Sequence, residues 1–352
     1  MEKKMKKVRV GIIGCGVIAP AHIKSYQRLP DVEVISCCDL IREKAEKRAA
    51  EFNIKKIFTD HRQMIADEEL DAVSICTDHE SHTMLALDCL DAGKHVICEK
   101  SLASSKANLV KMLEAEKKHP DLVFSGVFQH RFDSGYLYAR ELVNNGTLGT
   151  ILTADLTVMC LRTDKYYTAD SWRGTWEKEG GALLINQAIH FIDMISWIMG
   201  GVKSVSAEYT NLAHKGVIEC EDTASAAVVY KNGALGSISA TSASPLSWQP
   251  TMTFNGTAGT MAIRDNKLFS LTLSDTEKEA LIRQKFAEYT EEKPVSKSYY
   301  GSGHPQQLND FIEAIRSGKT LRVPAHSAAH APSVVLSIYD SCRSGKRVEV
   351  EY

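Results

Sequence analysis

Several features that would assign the sequence to other classes of protein are absent from its 352 residues. No apolar run approaches the roughly 20 residues that a transmembrane helix requires. The 42 lysines and arginines are balanced by 44 aspartates and glutamates, so the basic excess of a nucleic-acid-binding protein is missing. Residues 1–9 are rich in lysine but lack the apolar core and cleavage site of a signal peptide. We therefore expect a cytoplasmic protein that binds neither a membrane nor nucleic acid.

Cysteine occurs nine times, but no two cysteines form a C-x-x-C pair. Most of them lie in apolar, strand-like runs, which indicates buried and reduced thiols. The segment from His79 to His82 resembles part of the zinc-binding pattern H-E-x-x-H, but the second histidine of that pattern would fall on Thr83. We therefore expect reduced cysteines and no metal site.

Length and local patterns predict two domains, since one domain usually has about 100–200 residues. Strand-like and helix-like segments alternate up to about residue 127, which predicts a parallel, doubly wound α/β sheet for residues 1–127. Strand-like segments then follow one another between residues 202 and 273, which predicts an α+β domain with a large, open, mostly antiparallel sheet for residues 128–352. The C-terminal helices could instead pack back on the first domain.

A glycine-rich turn follows the first strand-like run and opens a helix. Its sequence, Gly14-Cys15-Gly16-Val17-Ile18-Ala19, matches the pattern G-x-G-x-x-A of Rossmann dinucleotide-binding domains. The first glycine permits the tight turn, the second lets the backbone approach a pyrophosphate, and the helix start offers N–H groups to it. Asp39 ends the second strand-like run, where a carboxylate binds the ribose hydroxyls and favours NAD over NADP. Arg42 nearby keeps NADP open as the less favoured cofactor.

Lys100 follows the strand-like run His95–Cys98. Ligands of doubly wound sheets bind beyond the carboxyl ends of the strands, so this lysine is a candidate neighbour of the nicotinamide ring and of a substrate hydroxyl. The alternative, a lysine on the surface at the end of a strand, is about equally favoured by position alone.

Polar residues interrupt a strongly apolar helix predicted for Leu183–Met199. Asn186, His190 and Asp193 share one face with Trp197, because their spacing is i, i+4, i+7 and i+11. Such a row is either an internal hydrogen-bond network or the lining of a site, and we favour the site. His190 is then the candidate general base, which Asp193 could orient, and Asn186 would orient the substrate or the lysine.

Aromatic and basic residues before this helix are candidates for carbohydrate recognition, because aromatic rings pack on sugar C–H groups and arginine binds hydroxyls or phosphates. Simple packing is the alternative for each of them. The full set of expected substrate contacts is Gln129, Arg131, Arg162, Tyr166, Tyr167, Trp172 and Arg173, together with Lys100, Asn186 and His190.

Taken together, these segments resemble the Gfo/Idh/MocA oxidoreductases over nearly the whole chain. The resemblance is carried by the glycine turn, by Ala92–Lys100, which is similar to the family's AGKHVxxEKP segment, and by the Gly180-Gly181 helix with His190. It implies a Rossmann domain followed by an α+β domain, and hydride transfer between NAD(P) and a secondary alcohol of a sugar or cyclitol. It also implies Lys100 as the active-site lysine and His190 as the acid/base. The cofactor contacts expected on all these grounds are Gly14, Gly16, Val17, Ile18, Asp39, Thr77, His79, His82, Glu99 and Lys100.

The sequence departs from the family pattern at two positions of interest. Ser101 stands where a proline is expected after the lysine, and Asn186 stands where many relatives have aspartate. Together with Trp172–Trp176, Asn186-Gln187 is similar to a subgroup that oxidises a ring hydroxyl, such as C3, of sugar nucleotides and glycosides. Three readings stay open: an NAD-dependent glycosidase using transient oxidation, a non-catalytic regulator, and physiological reduction rather than oxidation. The family's open sheet implies a homo-oligomer, a dimer or a tetramer.

Overall fold

The structure, a computed structural model, describes residues 7–246, 248–289 and 301–351. They form two compact units. The described part of the first unit is residues 7–129 and 301–329, and that of the second is residues 130–246, 248–289 and 330–351. In the part of the chain that the structure describes, no helix is both long and apolar enough to span a membrane.

The first unit is built on a six-stranded sheet in the order β3-β2-β1-β4-β5-β6, and every neighbouring pair is parallel. The strands are β1 (Val8–Ile13), β2 (Val32–Cys38), β3 (Lys56–Phe58), β4 (Ala72–Ile75), β5 (His95–Cys98) and β6 (Phe124–Gly126). The helices between them are α1 (Ala19–Gln27), α2 (Arg42–Phe52), α3 (His61–Ile65), α4 (His79–Asp91) and α5 (Lys106–Lys118). The strand order reverses between β1 and β4, which is the position where doubly wound sheets bind dinucleotides.

Residues from the C-terminal third of the chain complete this unit. They contribute α10 (His304–Ser317) and α11 (Ala325–Ala328). Helix α10 packs against α1, and its Leu308 and Phe311 join the buried core of the sheet. The Gln307 side chain donates to the carbonyl of Gly126 at 2.8 Å and accepts from the N–H of Phe128 at 3.0 Å, which fixes the chain beyond β6.

The second unit is built on an eight-stranded sheet in the order β13-β12-β11-β7-β10-β9-β8-β14. Its strands are β7 (Ile151–Met159), β8 (Val202–Thr210), β9 (Thr223–Tyr230), β10 (Leu235–Thr241), β11 (Gln249–Gly256), β12 (Gly259–Arg264), β13 (Lys267–Leu273) and β14 (Val348–Glu349). Only the β7–β10 pair is parallel among the described pairs, and the others are antiparallel. The predicted fold class, a parallel Rossmann sheet followed by a mostly antiparallel sheet, is confirmed.

The helices of this second unit are α6 (Ser134–Asn144), α7 (Asp164–Thr168), α8 (Ile189–Ile198), α9 (Thr276–Glu288) and α12 (His330–Ser344). Of these, α6, α8, α9 and α12 pack against strands of the sheet. In β7 every second side chain is buried, as at Leu156 and Val158, whereas Asp155 and Thr157 are only partly covered. This alternation is the expected result when one face of an antiparallel sheet packs on helices and the other does not.

Candidate active site

The glycine turn of the first unit has the geometry that a dinucleotide requires. Gly14 has φ +91°, and a Cβ there would lie 2.5 Å from the carbonyl oxygen of Cys76, so only glycine fits. A Cβ at Gly16, in contrast, would meet no described atom within 4 Å. Protein packing therefore does not explain the second glycine, whereas close approach of a pyrophosphate does.

Two side chains hold this turn from outside. Asp39, directly after β2, accepts from the N–H of Cys15 at 2.9 Å through Oδ2 and from the N–H of Ile41 at 2.9 Å through Oδ1. Arg48 of α2 donates to the carbonyls of Cys15 at 3.2 Å and Gly16 at 3.0 Å. Asp39 thus lies beside the turn, and its contact with the ribose hydroxyls stays a prediction. Arg48 was missed because nothing in a lysine- and glutamate-rich helix distinguishes one arginine from the others.

The start of α1 is open to an anion. Ile18 occupies the N-cap position and makes no side-chain cap, and Val17 before it is 56% exposed. The N–H groups of the first turn are therefore not occupied by a capping side chain, which fits a phosphate at this helix end. Arg42, the residue that kept NADP open, donates to Glu46 at 2.8 Å.

One buried histidine contacts the turns after both β4 and β5. His82 Nδ1 lies 2.7 Å from the carbonyl oxygen of Ser101, and Nε2 lies 3.2 Å from that of Thr77. Burial lowers the pKa of His82, so the ring is neutral and donates through one nitrogen only. The His79 ring lies 5.9 Å from it. The shorter contact thereby fixes the carbonyl of Ser101, the residue after Lys100.

Glu99, the residue before Lys100, is buried in a hydrogen-bonded group. Its Oε1 lies 2.9 Å from His22 Nε2 and 3.9 Å from His304 Nε2, and its Oε2 accepts from the N–H of Lys100 at 3.1 Å. Burial by itself raises the pKa of Glu99, but the hydrogen bond and charge of His22, with the charges of His304 and Lys100, lower it to about 2. Glu99 therefore anchors the lysine backbone from inside. Among the described residues, His22, Glu99 and His304 also form a group of potential metal ligands within 4.8 Å of one another.

In the second unit, the predicted helix begins with an unusual turn. Residues Leu183–Ala188 are π-helical, and the α-helix proper, α8, starts at Ile189. Asn186 and Gln187 lie in the π-helical turn, and His190 lies at the start of α8. Wide turns of this kind are often found at functional sites.

A buried carboxylate holds the beginning of the π-helical turn. Glu221 accepts from the N–H of Leu184 at 2.9 Å, from the N–H of Ala182 at 3.2 Å and from the Tyr339 hydroxyl at 2.6 Å. Gly181 has φ +143°, and a Cβ there would overlap the Tyr339 hydroxyl. The second glycine of the pair before the helix is therefore required by the approach of Tyr339.

A second buried carboxylate contacts Asn186. The Asn186 amide nitrogen donates to Glu179 Oε1, and Glu179 Oε2 accepts from the N–H of Gly174. The Asn186 nitrogen also lies 3.5 Å from the Tyr166 hydroxyl, to which Gln187 donates at 2.9 Å. Glu179 was not predicted, because a glutamate in the charged segment before the glycine pair looks like a surface residue.

Two guanidinium groups lie close to the ring of Tyr166. Arg173 Cζ is 4.1 Å from its ring centroid and Arg162 Cζ is 5.0 Å from it. Arg162 also donates to the Gln187 side chain at 2.6 Å, and Arg173 lies 5.4 Å from the Trp172 ring. Burial raises the pKa of Tyr166 although both arginines oppose this, so the hydroxyl stays protonated. Together with Asn186, the structure thus brings five of the predicted substrate residues together.

Other predicted substrate residues have different surroundings. Tyr167 is 4% exposed, packs in a small hydrophobic cluster and shares a hydrogen bond of 3.0 Å with the Ser242 hydroxyl. Gln129 is buried in the 3-10 helix Gln129–Phe132 and belongs to the first unit. The structure favours a packing role for Tyr167.

His190 is 8% exposed and lies next to a second histidine of the same unit. The His130 ring centroid is 5.3 Å from that of His190, and His130 Nδ1 lies 2.6 Å from the Asp133 carboxylate. The neighbouring Arg131 donates to both oxygens of Asp193, at 2.7 and 2.5 Å. Since this ion pair is buried, the structure favours neither Arg131 as a substrate contact nor Asp193 as the group that orients His190.

Comparison with known proteins agrees with this geometry. Residues 8–127 match the model described as "Oxidoreductase family, NAD-binding Rossmann fold", and residues 140–350 match "Oxidoreductase family, C-terminal alpha/beta domain". The chain belongs to the Gfo/Idh/MocA oxidoreductase family. It is an NAD-binding oxidoreductase, and the glycine turn with Asp39 fits that cofactor.

Named members of the Gfo/Idh/MocA family are similar over most of the chain. Myo-inositol 2-dehydrogenase of Thermotoga maritima is 26% identical over 340 residues, which are 96% of each chain. Levoglucosan dehydrogenase of Pseudarthrobacter phenanthrenivorans is 27% identical over 271 residues, 67% of this chain and 68% of that one. The crystal structure of the WlbA dehydrogenase from Bordetella pertussis with NADH and UDP-GlcNAcA superposes with a TM-score of 0.88 at 26% identity, covering 99% of both chains.

Proposed function

We propose that this protein is an NAD-dependent dehydrogenase that transfers hydride between the nicotinamide and a secondary alcohol of a sugar, glycoside, sugar nucleotide or cyclitol. The observation that carries the proposal is the polar pair Asn186 and His190 on a buried, mostly apolar helical segment. An imidazole can take the proton of a hydroxyl and an amide can hydrogen-bond one, so both side chains suit an alcohol substrate. Relatives named for inositol and levoglucosan support a substrate with several hydroxyl groups.

Each residue has a distinct task in this reaction. Bound NAD supplies the hydride acceptor. His190 removes the proton of the substrate hydroxyl, a task suited to an imidazole near neutral pH. Lys100 donates a hydrogen bond to the same oxygen as negative charge develops on it. Asn186 orients the substrate through its amide.

Within this class we favour a sugar nucleotide or glycoside, oxidised at a ring hydroxyl such as C3. The bound UDP-GlcNAcA in the Bordetella relative supports a sugar nucleotide. Arg162 and Arg173 beside the Tyr166 ring support it as well, because guanidinium groups bind hydroxyls and anionic groups while an aromatic ring packs on sugar C–H groups.

The test is NAD reduction by the purified protein with a panel of inositols, free sugars, glycosides and sugar nucleotides. We expect NADH to accumulate with one chemical group. His190→Ala should lower kcat by roughly 10²–10⁴-fold, whereas His326→Ala, at a side chain that is 67% exposed, should not change it. Lys100→Ala should also lower kcat, because the alkoxide loses its hydrogen-bond donor.

Other outcomes would replace the proposal. Release of aglycone without net NADH would indicate a glycosidase acting through transient oxidation. Saturable NAD binding without turnover on any panel member would indicate a regulator. Normal turnover by His190→Ala would remove His190 from the role of base.

We also propose that the protein is a homo-oligomer, a dimer or tetramer formed through the less covered face of the eight-stranded sheet. Side chains of this face, such as Asp155 and Thr157, are only partly covered within the chain. Light scattering should give a mass of two or four chains, and a monomer at micromolar concentration would contradict the proposal.

A further inference from the structure

We propose that Glu179 is a positioning residue that orients the amide of Asn186, so that Asn186 offers its carbonyl oxygen, and not its nitrogen, to the substrate. The proposal rests on the dehydrogenase function for the identity of what Asn186 meets. The orientation itself follows from the contacts within the second unit.

Glu179 is a buried carboxylate with a donor at each oxygen. It is 1% exposed. Oε1 accepts from the Asn186 amide nitrogen, and Oε2 accepts from the backbone N–H of Gly174. An ionised carboxylate accepts hydrogen bonds through both oxygens, so these two donors suit Glu179 in its ionised form.

These contacts decide which end of the Asn186 amide, the oxygen or the nitrogen, faces Glu179. Oxygen and nitrogen of an amide have the same shape, so only the partners distinguish them. A carboxylate has nothing to donate, so the NH₂ group must face Glu179. The Tyr166 hydroxyl, 3.5 Å from the same nitrogen, lies on the same side. The carbonyl oxygen therefore points to the opposite side of the amide, where it can accept only.

The negative charge of Glu179 also strengthens Asn186 as an acceptor. A hydrogen bond to an ionised group is shorter and stronger than one between neutral groups. Electron density drawn along such a chain of hydrogen bonds makes the far carbonyl oxygen more negative. Asn186 can thus hold a hydroxyl or ammonium donor without carrying a charge itself.

The same carboxylate connects the segment Trp172–Trp176, called here the substrate loop, to the helix. Gly174 lies in the segment Trp172–Trp176, whereas Asn186 lies in the π-helical turn. The Glu179 side chain therefore fixes the position of the Asn186 amide relative to a substrate that the loop binds.

The substitution Glu179→Gln should reverse the orientation of the Asn186 amide. The N–H of Gly174 belongs to the backbone and cannot turn, so the oxygen of the new glutamine must face it. The NH₂ group of that glutamine then faces Asn186, whose amide must rotate by half a turn to accept from it. The loop stays attached, but Asn186 now presents its nitrogen to the substrate.

The experiment compares the wild type with Glu179→Gln, Asn186→Asp, the double variant of both, and Glu177→Gln. Glu177 is exposed and two residues away, so its substitution is the matched control. We expect Glu179→Gln to lower kcat/KM by about 10- to 100-fold, the effect of leaving a buried substrate donor without its acceptor. Asn186→Asp should also lower it, because two carboxylates then face each other and one must hold a proton. The double variant should recover most of the activity, since its carboxylate accepts from the new glutamine and again offers an oxygen to the substrate.

Two readouts besides turnover separate this proposal from the proposed function. Thermal unfolding should be similar in Glu179→Gln and Glu177→Gln, since the bond to Gly174 persists. The side-chain amide NMR signals of isotope-labelled Asn186 should move in Glu179→Gln and stay in Glu177→Gln. If the wild type turns over no substrate, the proposed function fails, and these signals still decide the orientation. Unchanged signals, unchanged kcat/KM in Glu179→Gln, or a double variant no better than Asn186→Asp would each overturn the proposal.

Discussion

Replacing Asp193 by asparagine should destabilise the second unit strongly, because it leaves the charge of Arg131 buried without its counter-charge. Both side chains are 1% exposed and joined by two hydrogen bonds of 2.7 and 2.5 Å. The guanidinium also packs over the Trp197 ring, with 5.4 Å between Cζ and the ring centroid. Water therefore cannot replace the lost partner.

The size of the effect follows from this burial. Removing one partner of a buried ion pair costs about 3–5 kcal/mol of unfolding free energy. A domain of this size loses about 2–4 °C of Tm per kcal/mol, so we expect Asp193→Asn to lower Tm by roughly 6–20 °C. Glu46→Gln, which removes the exposed partner of Arg42, is the control and should cost no more than about 1 kcal/mol.

Thermal unfolding followed by circular dichroism would measure both variants beside the double variant Arg131→Met/Asp193→Leu. The double variant removes both charges, so it should be more stable than Asp193→Asn although it loses more hydrogen bonds. A Tm of Asp193→Asn within the range of the Glu46→Gln control would refute the reasoning. If the double variant is stable but has a greatly increased KM for the substrate, Arg131 contacts the substrate after all.

Two further predictions concern stability. Glu99, whose pKa is lowered to about 2 from 4.5, contributes stability above about pH 4.5 that is lost as the pH falls toward 2. In urea unfolding, the free energy of unfolding of the wild type should therefore exceed that of Glu99→Gln by about 3 kcal/mol at pH 7 and by much less at pH 3. A difference that does not change with pH would contradict this. Gly181→Ala should lower the free energy of unfolding by about 1–3 kcal/mol more than Gly146→Ala does. Both positions have positive φ, but only the Cβ at position 181 overlaps another group, the Tyr339 hydroxyl. Equal melting temperatures of these two variants would show that the overlap is relieved without cost.

The helix at Leu183–Met199 illustrates where prediction from the sequence succeeds and where it stops. Its apolar character and its polar row were visible in the spacing of Asn186, His190 and Asp193. The π-helical start was not visible, because it depends on Glu221, a residue 37 positions beyond Leu184. The polar residues of this row also have different surroundings in the structure. Asp193 forms a buried ion pair with Arg131, whereas Asn186 belongs to the candidate site.

The sequence by itself determined the parallel sheet, the antiparallel sheet and the glycine turn with Asp39. These features depend on hydrophobic period and on turn residues, which are properties of short segments. Tertiary structure alone decided that Glu179 is a buried partner of Asn186, that Arg48 holds the turn, and that His304 lies beside His22 and Glu99. Such pairs join residues that are distant along the chain or lie in unremarkable local sequence, so their partners appear only when packing brings the segments together and removes water from between them.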